Sequence, residues 1–137
     1  MSYGISFLRR EPGQTWHDAF EAMEEKAPET VDYAIWSAVA VAARDVLGVV
    51  SEDLLNCEVT QLSTGLMVTC HMGQWSVTLP GPPSGETAAS LRGVCEIVQE
   101  ATGLTAYDPR LGVTLSEPAD FARSIAAFDV VGAQPGG

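Results

Sequence analysis

The chain has 137 residues, 46% of them apolar, and a net charge of −11. This length suits one domain with a single hydrophobic core, and the apolar content excludes a wholly disordered chain. The negative charge repels the phosphates of nucleic acids and anionic lipid, so we expect neither nucleic acid nor a membrane as a partner.

The N-terminal part predicts a strand and then a helix. Residues 3–8 are rich in aromatic and branched side chains, and a Glu-Pro-Gly sequence at 11–13 ends this strand. Thr15 and Asp18 have the spacing of a capping box at the start of a helix. Its buried stripe is predicted from apolar residues at helical spacing: Trp16, Ala19, Phe20 and Met23.

A second helix begins at residue 28 or 30 and ends at Leu47, with Gly48 as its stop. Its centre, residues 35–43, is apolar on nearly every side. Such a helix is buried on more than one face, so we expect it to cross the sheet beneath another element or to form a homodimer contact. The side chains that point in different directions around it are Ile35, Trp36, Val39 and Val41.

Residues 57–79 predict three consecutive strands, or a β-meander. Alternation places Leu66, Val68 and Cys70 on one face of the middle strand. We expect a two-residue hairpin of type II′ at Gly73-Gln74, because that turn favours glycine at its first position.

The C-terminal half predicts a third helix at residues 86–102, short strands at 104–107 and 113–115, and a last helix at 118–128. Residues 129–137 carry Gly, Pro and Gln and are predicted to form a flexible tail.

The order of these elements predicts one α+β domain that spans residues 1–128. Consecutive strands in the middle of the chain favour an antiparallel sheet of five or six strands. We expect the helices to pack mainly on one face of that sheet.

Histidine and cysteine give no pattern typical of a metal or catalytic site. His17 and His71 lack a partner at ligand spacing, so we expect no metal ion and no cofactor. Cys57, Cys70 and Cys95 are widely spaced, and we expect them to be reduced and mostly buried. A nucleophilic pair of Cys95 with His71 is the alternative, which burial of the thiol disfavours. No other catalytic motif is present, so enzymatic activity is undecided and disfavoured.

The N-terminus does not have the order of a secretory signal. Its basic pair, Arg9-Arg10, follows the apolar stretch, whereas the basic residues of a signal peptide come first. We therefore expect a cytoplasmic protein.

Acidic side chains concentrate between residues 11 and 32, where seven acids accompany a single lysine. Helical spacing places the acids of the first helix opposite its apolar stripe. They form either a solvated face that keeps the protein soluble or a docking surface for a basic protein partner. The candidate partner surface consists of Asp18, Glu21, Glu24 and Glu25.

A pocket between the sheet and the second helix is the alternative site. Its predicted polar and aromatic lining is His71, Trp75, Tyr107 and Asp108. Asp108 precedes a proline at a strand end, which is also typical of a type I turn, and the turn is the favoured interpretation.

Two segments resemble a group of small uncharacterised bacterial proteins. The matching stretches are Met-Ser-Tyr-Gly-Ile-Ser-Phe at 1–7 and Gly-Leu-Thr-Ala-Tyr-Asp-Pro at 103–109. Gly4 stands where an acid is common in that group. Some members look like immunity proteins of bacterial toxin systems, so the resemblance implies an inhibitor of a protein partner.

Two functions follow from the sequence. The first is a cytosolic binding protein, immunity-like, that uses its acidic surface against a basic protein. The second is a small-molecule-binding protein or accessory enzyme with a pocket beside the second helix.

Overall fold

The computed structural model describes residues 3–27, 29–81, 86–115, 120, 122–124 and 126. Among these residues the chain is α+β with an antiparallel sheet, which confirms the predicted class; the sheet has seven strands where five or six were predicted. The elements follow the chain in this order: β1 (Tyr3–Leu8), α1 (Trp16–Glu25), α2 (Tyr33–Leu47), β2 (Val50–Asp53), β3 (Glu58–Gln61), β4 (Met67–His71), β5 (Gln74–Leu79), α3 (Glu86–Thr102), β6 (Thr105–Asp108) and β7 (Val113–Thr114).

The sheet has the strand order β2-β3-β4-β5-β1-β6-β7, and each neighbouring pair is antiparallel. The N-terminal strand β1 therefore lies inside the sheet, paired with β5 on one side and β6 on the other. Ile5 stands opposite Val77, and Ser6 stands opposite both Ser76 and Tyr107. Since side chains alternate along a strand, this register assigns every strand residue to one of two faces.

The main core lies between one face of the sheet and helices α2 and α3. Ile5 and Phe7 of β1 belong to it, together with Val39 of α2 and Val94 of α3. All four side chains are almost completely buried. The prediction that helices pack mainly on one face is therefore borne out by α2 and α3.

Helix α1 packs on the opposite face. A second, smaller cluster joins Ala19 of α1 to Leu8 and Tyr107, and the rings of Phe20 and Tyr107 lie 5.7 Å apart. Leu8 alternates with Phe7, and Tyr107 pairs with Ser6, so both point away from the main core. Near α1, the sheet is thus covered on both faces.

The structure corrects the start of α2 and adds a strand after it. Helix α2 starts later than predicted because Asp32 caps it: its carboxylate accepts hydrogen bonds from the backbone N–H groups of Ala34 and Ile35. Strand β2 was not predicted, since its Val-Ser-Glu-Asp sequence is short and half acidic. Such a composition is typical of an edge strand, and β2 lies at the edge of the sheet.

The β4–β5 hairpin is confirmed, but its turn lies one residue earlier than predicted. His71 pairs with Gln74, so the turn residues are Met72 and Gly73. Both have positive φ, 53° and 84°, which is the pattern of a type I′ turn rather than type II′. The shift pairs Cys70 with Trp75 inside the core and leaves Met72 52% exposed.

The predicted last helix falls largely outside the described residues. Residues 120, 122–124 and 126 are helical, and Ser124 is completely buried. The predicted tail, residues 129–137, lies wholly outside them, and the 1–128 domain boundary stays a prediction.

Candidate binding surface

The four acids of the candidate partner surface are all exposed on α1. We call Asp18, Glu21, Glu24 and Glu25 the acidic face. On the inward side of α1, Ala19 is the only fully buried residue among the side chains that the structure describes. The predicted stripe faces inward but is half-buried rather than buried at Trp16, Phe20 and Met23.

Two of these acids have a structural task. Asp18 completes the predicted capping box: its backbone N–H donates to the Thr15 hydroxyl at 3.0 Å, and its carboxylate accepts from the Thr15 N–H at 3.3 Å. Glu21 lies 3.0 Å from Nε2 of His17, one turn earlier. The His17–Glu21 pair is exposed and contributes little to stability, whereas the capping box stabilises the start of α1.

The other two acids have no such task. Within the described residues, Glu24 and Glu25 form no ion pair. Both stand in the last turn of α1, where the partial negative charge of the helix dipole makes an acid unfavourable by roughly 0.3–1 kcal/mol. The stability of the helix therefore gives no reason for acids at these two positions.

A groove with a volume of about 570 Å³ lies beside α1, at the end of the sheet where β1 and β4 finish and β5 and β6 begin. We call it the α1 groove. Its apolar lining comes from α1, α2, the sheet and the β4–β5 turn: Phe7, Leu8, Met23, Ile35, Met72, Trp75 and Leu104. Its charged lining has two residues of each sign: Arg9, Lys26, Glu11 and Glu29.

Two hydrogen bonds fix the walls of the α1 groove. The Gln74 side chain donates to the carbonyl of Met23 at 2.9 Å, which ties the last turn of α1 to β5. The Glu29 N–H donates to the carbonyl of Met72 at 3.0 Å, which ties the α1–α2 connection to the hairpin turn. Gly73 is required here, since a Cβ at this position would lie 2.9 Å from Cβ of Glu29.

The structure does not bring the predicted pocket residues together. Trp75 lines the α1 groove and lies against Trp36, with ring centroids 5.7 Å apart. His71 is exposed on the other face of the sheet. Tyr107 is buried beneath α1, and its hydroxyl has no hydrogen-bond partner in the described part of the chain. Burial raises the pKa of that phenol.

Asp108 is 1% exposed and forms a buried polar network instead of lining a pocket. Its carboxylate accepts from the Arg110 N–H at 2.9 Å, as the turn interpretation predicts, and from the Ser124 hydroxyl at 2.5 Å. The Arg110 guanidinium lies 3.3 Å from the same carboxylate and donates to the carbonyl of Ser124. The Tyr3 hydroxyl bonds to that of Ser124, and burial raises the pKa of Tyr3 to about 12.

This network ties the strand end at Asp108 and the helical segment at Ser124 to β1. With Asp108 and Ser124 buried, the carboxylate is not accessible to a substrate. Sequence alone indicated the turn but not the network, because Ser124 is distant in the chain and has no pattern that points to Asp108.

The cysteines are buried thiols, as predicted. Burial raises the pKa of all three, that of Cys70 to about 11. Cys95 points from α3 into the main core, while His71 is exposed on the opposite sheet face, so the alternative nucleophilic pair is wrong. No group of three or more His, Cys, Asp or Glu in the described ranges could hold a metal ion.

The centre of α2 exposes one large apolar side chain. Trp36 and Val39 are buried and Ile35 is half-buried, while Val41 is 54% exposed. Tyr33 and Val46, near the two ends of α2, are also exposed, and the other exposed positions of the helix are alanine or polar. A homodimer through α2 stays a prediction.

Comparisons of the chain with protein-family models, with curated proteins and with solved structures found no match. None of the helices among the described residues is long and apolar enough to cross a membrane. Function is therefore inferred from the geometry of the acidic face and the α1 groove.

Proposed function

We propose that the protein is a cytoplasmic binding protein that holds a basic protein partner against the acidic face of α1. In the manner of an immunity protein, it inhibits that partner by covering it. The partner is a protein rather than nucleic acid or a membrane, because both of those carry the same sign of charge as this surface.

The observation that carries this proposal is the position of Glu24 and Glu25. They are exposed, form no ion pair among the described residues, and stand at the helix end where acids cost stability. A purely solubilising charge could stand anywhere on the surface. Acids concentrated on one helix instead create a local field that attracts a basic partner and rejects acidic ones.

This proposal predicts a rate effect that depends on salt. Clustered surface charges raise association rates at low ionic strength, and salt screens them over a distance of about 10 Å at 0.1 M. The experiment captures the partner from the source cell and then measures its association rate by surface biosensor. The variant is Glu21→Lys with Glu25→Lys.

The chain offers a matched control on α3. Glu96 and Glu100 are exposed and four residues apart, like Glu21 and Glu25, and Glu96 follows Arg92 by one turn as Glu21 follows His17. Reversal of Glu96 and Glu100 changes the net charge by the same amount at another place. Both double variants should keep the stability of the parent within about 1 kcal/mol.

We expect the α1 reversal to slow association about tenfold or more at low salt, and much less at high salt. The α3 reversal should have a small effect. Equal slowing by both variants would mean that only the net charge matters. An unchanged association rate for the α1 variant across salt concentrations would mean that the acidic face is only a solvated surface and does not bind the partner.

A small-molecule-binding protein or accessory enzyme is the second candidate, and the α1 groove favours it. Its volume falls within the roughly 300–1,000 Å³ that is typical of ligand pockets. The α1 groove is not the pocket that the sequence predicted between the sheet and α2, because that space is filled by core side chains such as Trp36 and Val39. A ligand screen by NMR would support this candidate if compounds shift the resonances of Met23 and Trp75.

The homodimer is a separate proposal for the outward side of α2. Val41 at its centre is the test position. If α2 forms the contact, Val41→Glu should convert a dimer to a monomer in light scattering. A monomeric parent protein at high concentration would remove the proposal.

A further inference from the structure

We infer that the α1 groove receives an apolar side chain from a cationic segment of the protein partner, whose lysines or arginines face the acidic face. This inference rests on the proposed function and specifies it. It makes the acidic face and the α1 groove two parts of one docking site.

The two features are adjacent because they share α1. Ala19, Ala22, Met23 and Lys26 line the groove. On a helix with 100° per residue, Asp18 and Glu25 follow Ala22 around the axis, on the outward side. A segment that lies along α1 with one side chain in the groove would therefore bring its neighbouring side chains to these two acids.

The lining of the groove suits an apolar side chain. Ile35, Met23 and Leu104 are half-buried and contribute apolar lining between the charged residues. Met72 is exposed at the hairpin turn, and its flexible thioether side chain adapts to differently shaped partners. Trp75 contributes an aromatic ring. In protein interfaces a few side chains that fill well-packed pockets supply most of the binding energy.

The groove is also formed before any partner arrives. The Gln74–Met23 and Glu29–Met72 hydrogen bonds hold its walls, so binding does not have to order them. A preformed site loses less conformational entropy on binding.

Charge decides which class of apolar ligand fits. Lys26 is already paired with Glu29, at 2.6 Å, and Arg9 is balanced by Glu11 within the lining. The lining is thus neutral, and the surrounding field comes from the acids of α1. An amphiphile with an anionic head would be repelled by that field, whereas a cationic peptide would be attracted.

The test uses synthetic peptides and the full chain. The first peptide is an amphipathic helix of leucine and lysine, with leucine at positions i, i+3, i+4 and i+7 and no tryptophan. The second has alanine in place of leucine, and the third has glutamate in place of lysine. Dodecanoate serves as an anionic amphiphile. Binding is followed by tryptophan fluorescence and by the NMR signal of the Trp75 indole.

We expect the leucine-lysine peptide to bind at least about tenfold more tightly than the alanine-lysine peptide, since burial of one leucine accounts for that ratio. Glu21→Lys with Glu25→Lys should weaken both cationic peptides and flatten their salt dependence. Ala22→Trp, which fills the groove from an exposed helical position, should weaken the leucine-lysine peptide about tenfold. Ala89→Trp on α3, at an exposed helical position outside the groove lining, is the matched control and should change nothing.

The outcomes separate this inference from the proposed function. If both cationic peptides bind equally and Ala22→Trp has no effect, the acidic face binds without the groove, and only the inference falls. If the glutamate peptide or dodecanoate binds best, the groove serves an anionic small molecule and the inference is overturned. If neither cationic peptide binds, the proposed function falls with it. Thermal unfolding of both tryptophan variants confirms that they are folded.

Discussion

Replacement of Asp108 by alanine tests whether this buried acid is structural. The substitution removes the carboxylate that accepts from the Ser124 hydroxyl and from the Arg110 N–H, while the Ser124 hydroxyl keeps its hydrogen bond with Tyr3. Loss of a hydrogen bond to a charged group costs about 1.5–3 kcal/mol, and loss of one member of a fully buried ion pair costs about 3–5 kcal/mol. The Arg110 side chain is 30% exposed and can turn to water, so we expect loss of its partner to cost less than in a fully buried ion pair.

We therefore expect Asp108→Ala to lower the free energy of unfolding by about 2–4 kcal/mol. That is a large part of the roughly 5–15 kcal/mol that stabilises a typical domain. In urea unfolding, with a slope near 2 kcal/mol per molar, the midpoint should fall by roughly 1–2 M. The variant Ser124→Ala removes the same hydrogen bond from the other side and should lose less, because the Asp108 carboxylate keeps its ion pair with Arg110 and the hydrogen bond from the Arg110 N–H.

The double variant completes the test. If Asp108 and Ser124 act together, Asp108→Ala with Ser124→Ala should be less destabilised than the sum of the two single variants. A loss below about 1 kcal/mol for Asp108→Ala, within the range of ordinary surface changes, would refute the structural interpretation. Asp108 would then need a functional explanation again.

Four further predictions concern thiols, pH, the hairpin turn and α1. The three cysteines should react slowly with a thiol reagent in the native state and give three equivalents on unfolding. Burial raises the pKa of Tyr3 from about 10 to about 12, so the stability that its neutral phenol contributes is complete below pH 10 and is lost as pH rises towards 12. In Tyr3→Phe, the free energy of unfolding measured in urea should fall less over this pH range. Met72→Asn should raise stability by about 0.5–1 kcal/mol in the same assay, because asparagine adopts positive φ more readily. Backbone amides of α1 should exchange with deuterium faster than those of α2 and α3, and slow when a partner binds.

The sequence predicted the elements whose patterns are local. The capping box at Thr15, the hairpin and the buried side of β4 were found because each depends on residues close together in the chain. The turn was placed one residue late because glycine at position 73 fits the first position of type II′ as well as the second of type I′. Only the pairing of Cys70 with Trp75 in the core distinguishes the two.

Features that depend on distant residues could not be predicted. The α1 groove combines Phe7, Met23, Trp75 and Leu104, which share no sequence pattern. The position of α1 on the second face depends on Leu8 and Tyr107, whose apolar character suits either face of a strand. The four acids were identified correctly as exposed because an amphipathic helix fixes its outward side once its apolar stripe is known.

The way α1 is held supports a role in binding. Among the described side chains of this helix only Ala19 is fully buried, whereas α2 buries five, including Trp36 and Val39. Helices in proteins are stabilised mainly by burial of their apolar face, so α1 is only weakly stabilised. The two acids in its last turn weaken it further. A cationic partner that faces Glu25 and places an apolar side chain beside Met23 would relieve both deficits at once. Part of the binding free energy would then appear as added stability of α1, because a ligand that binds only the folded state shifts the folding equilibrium towards it.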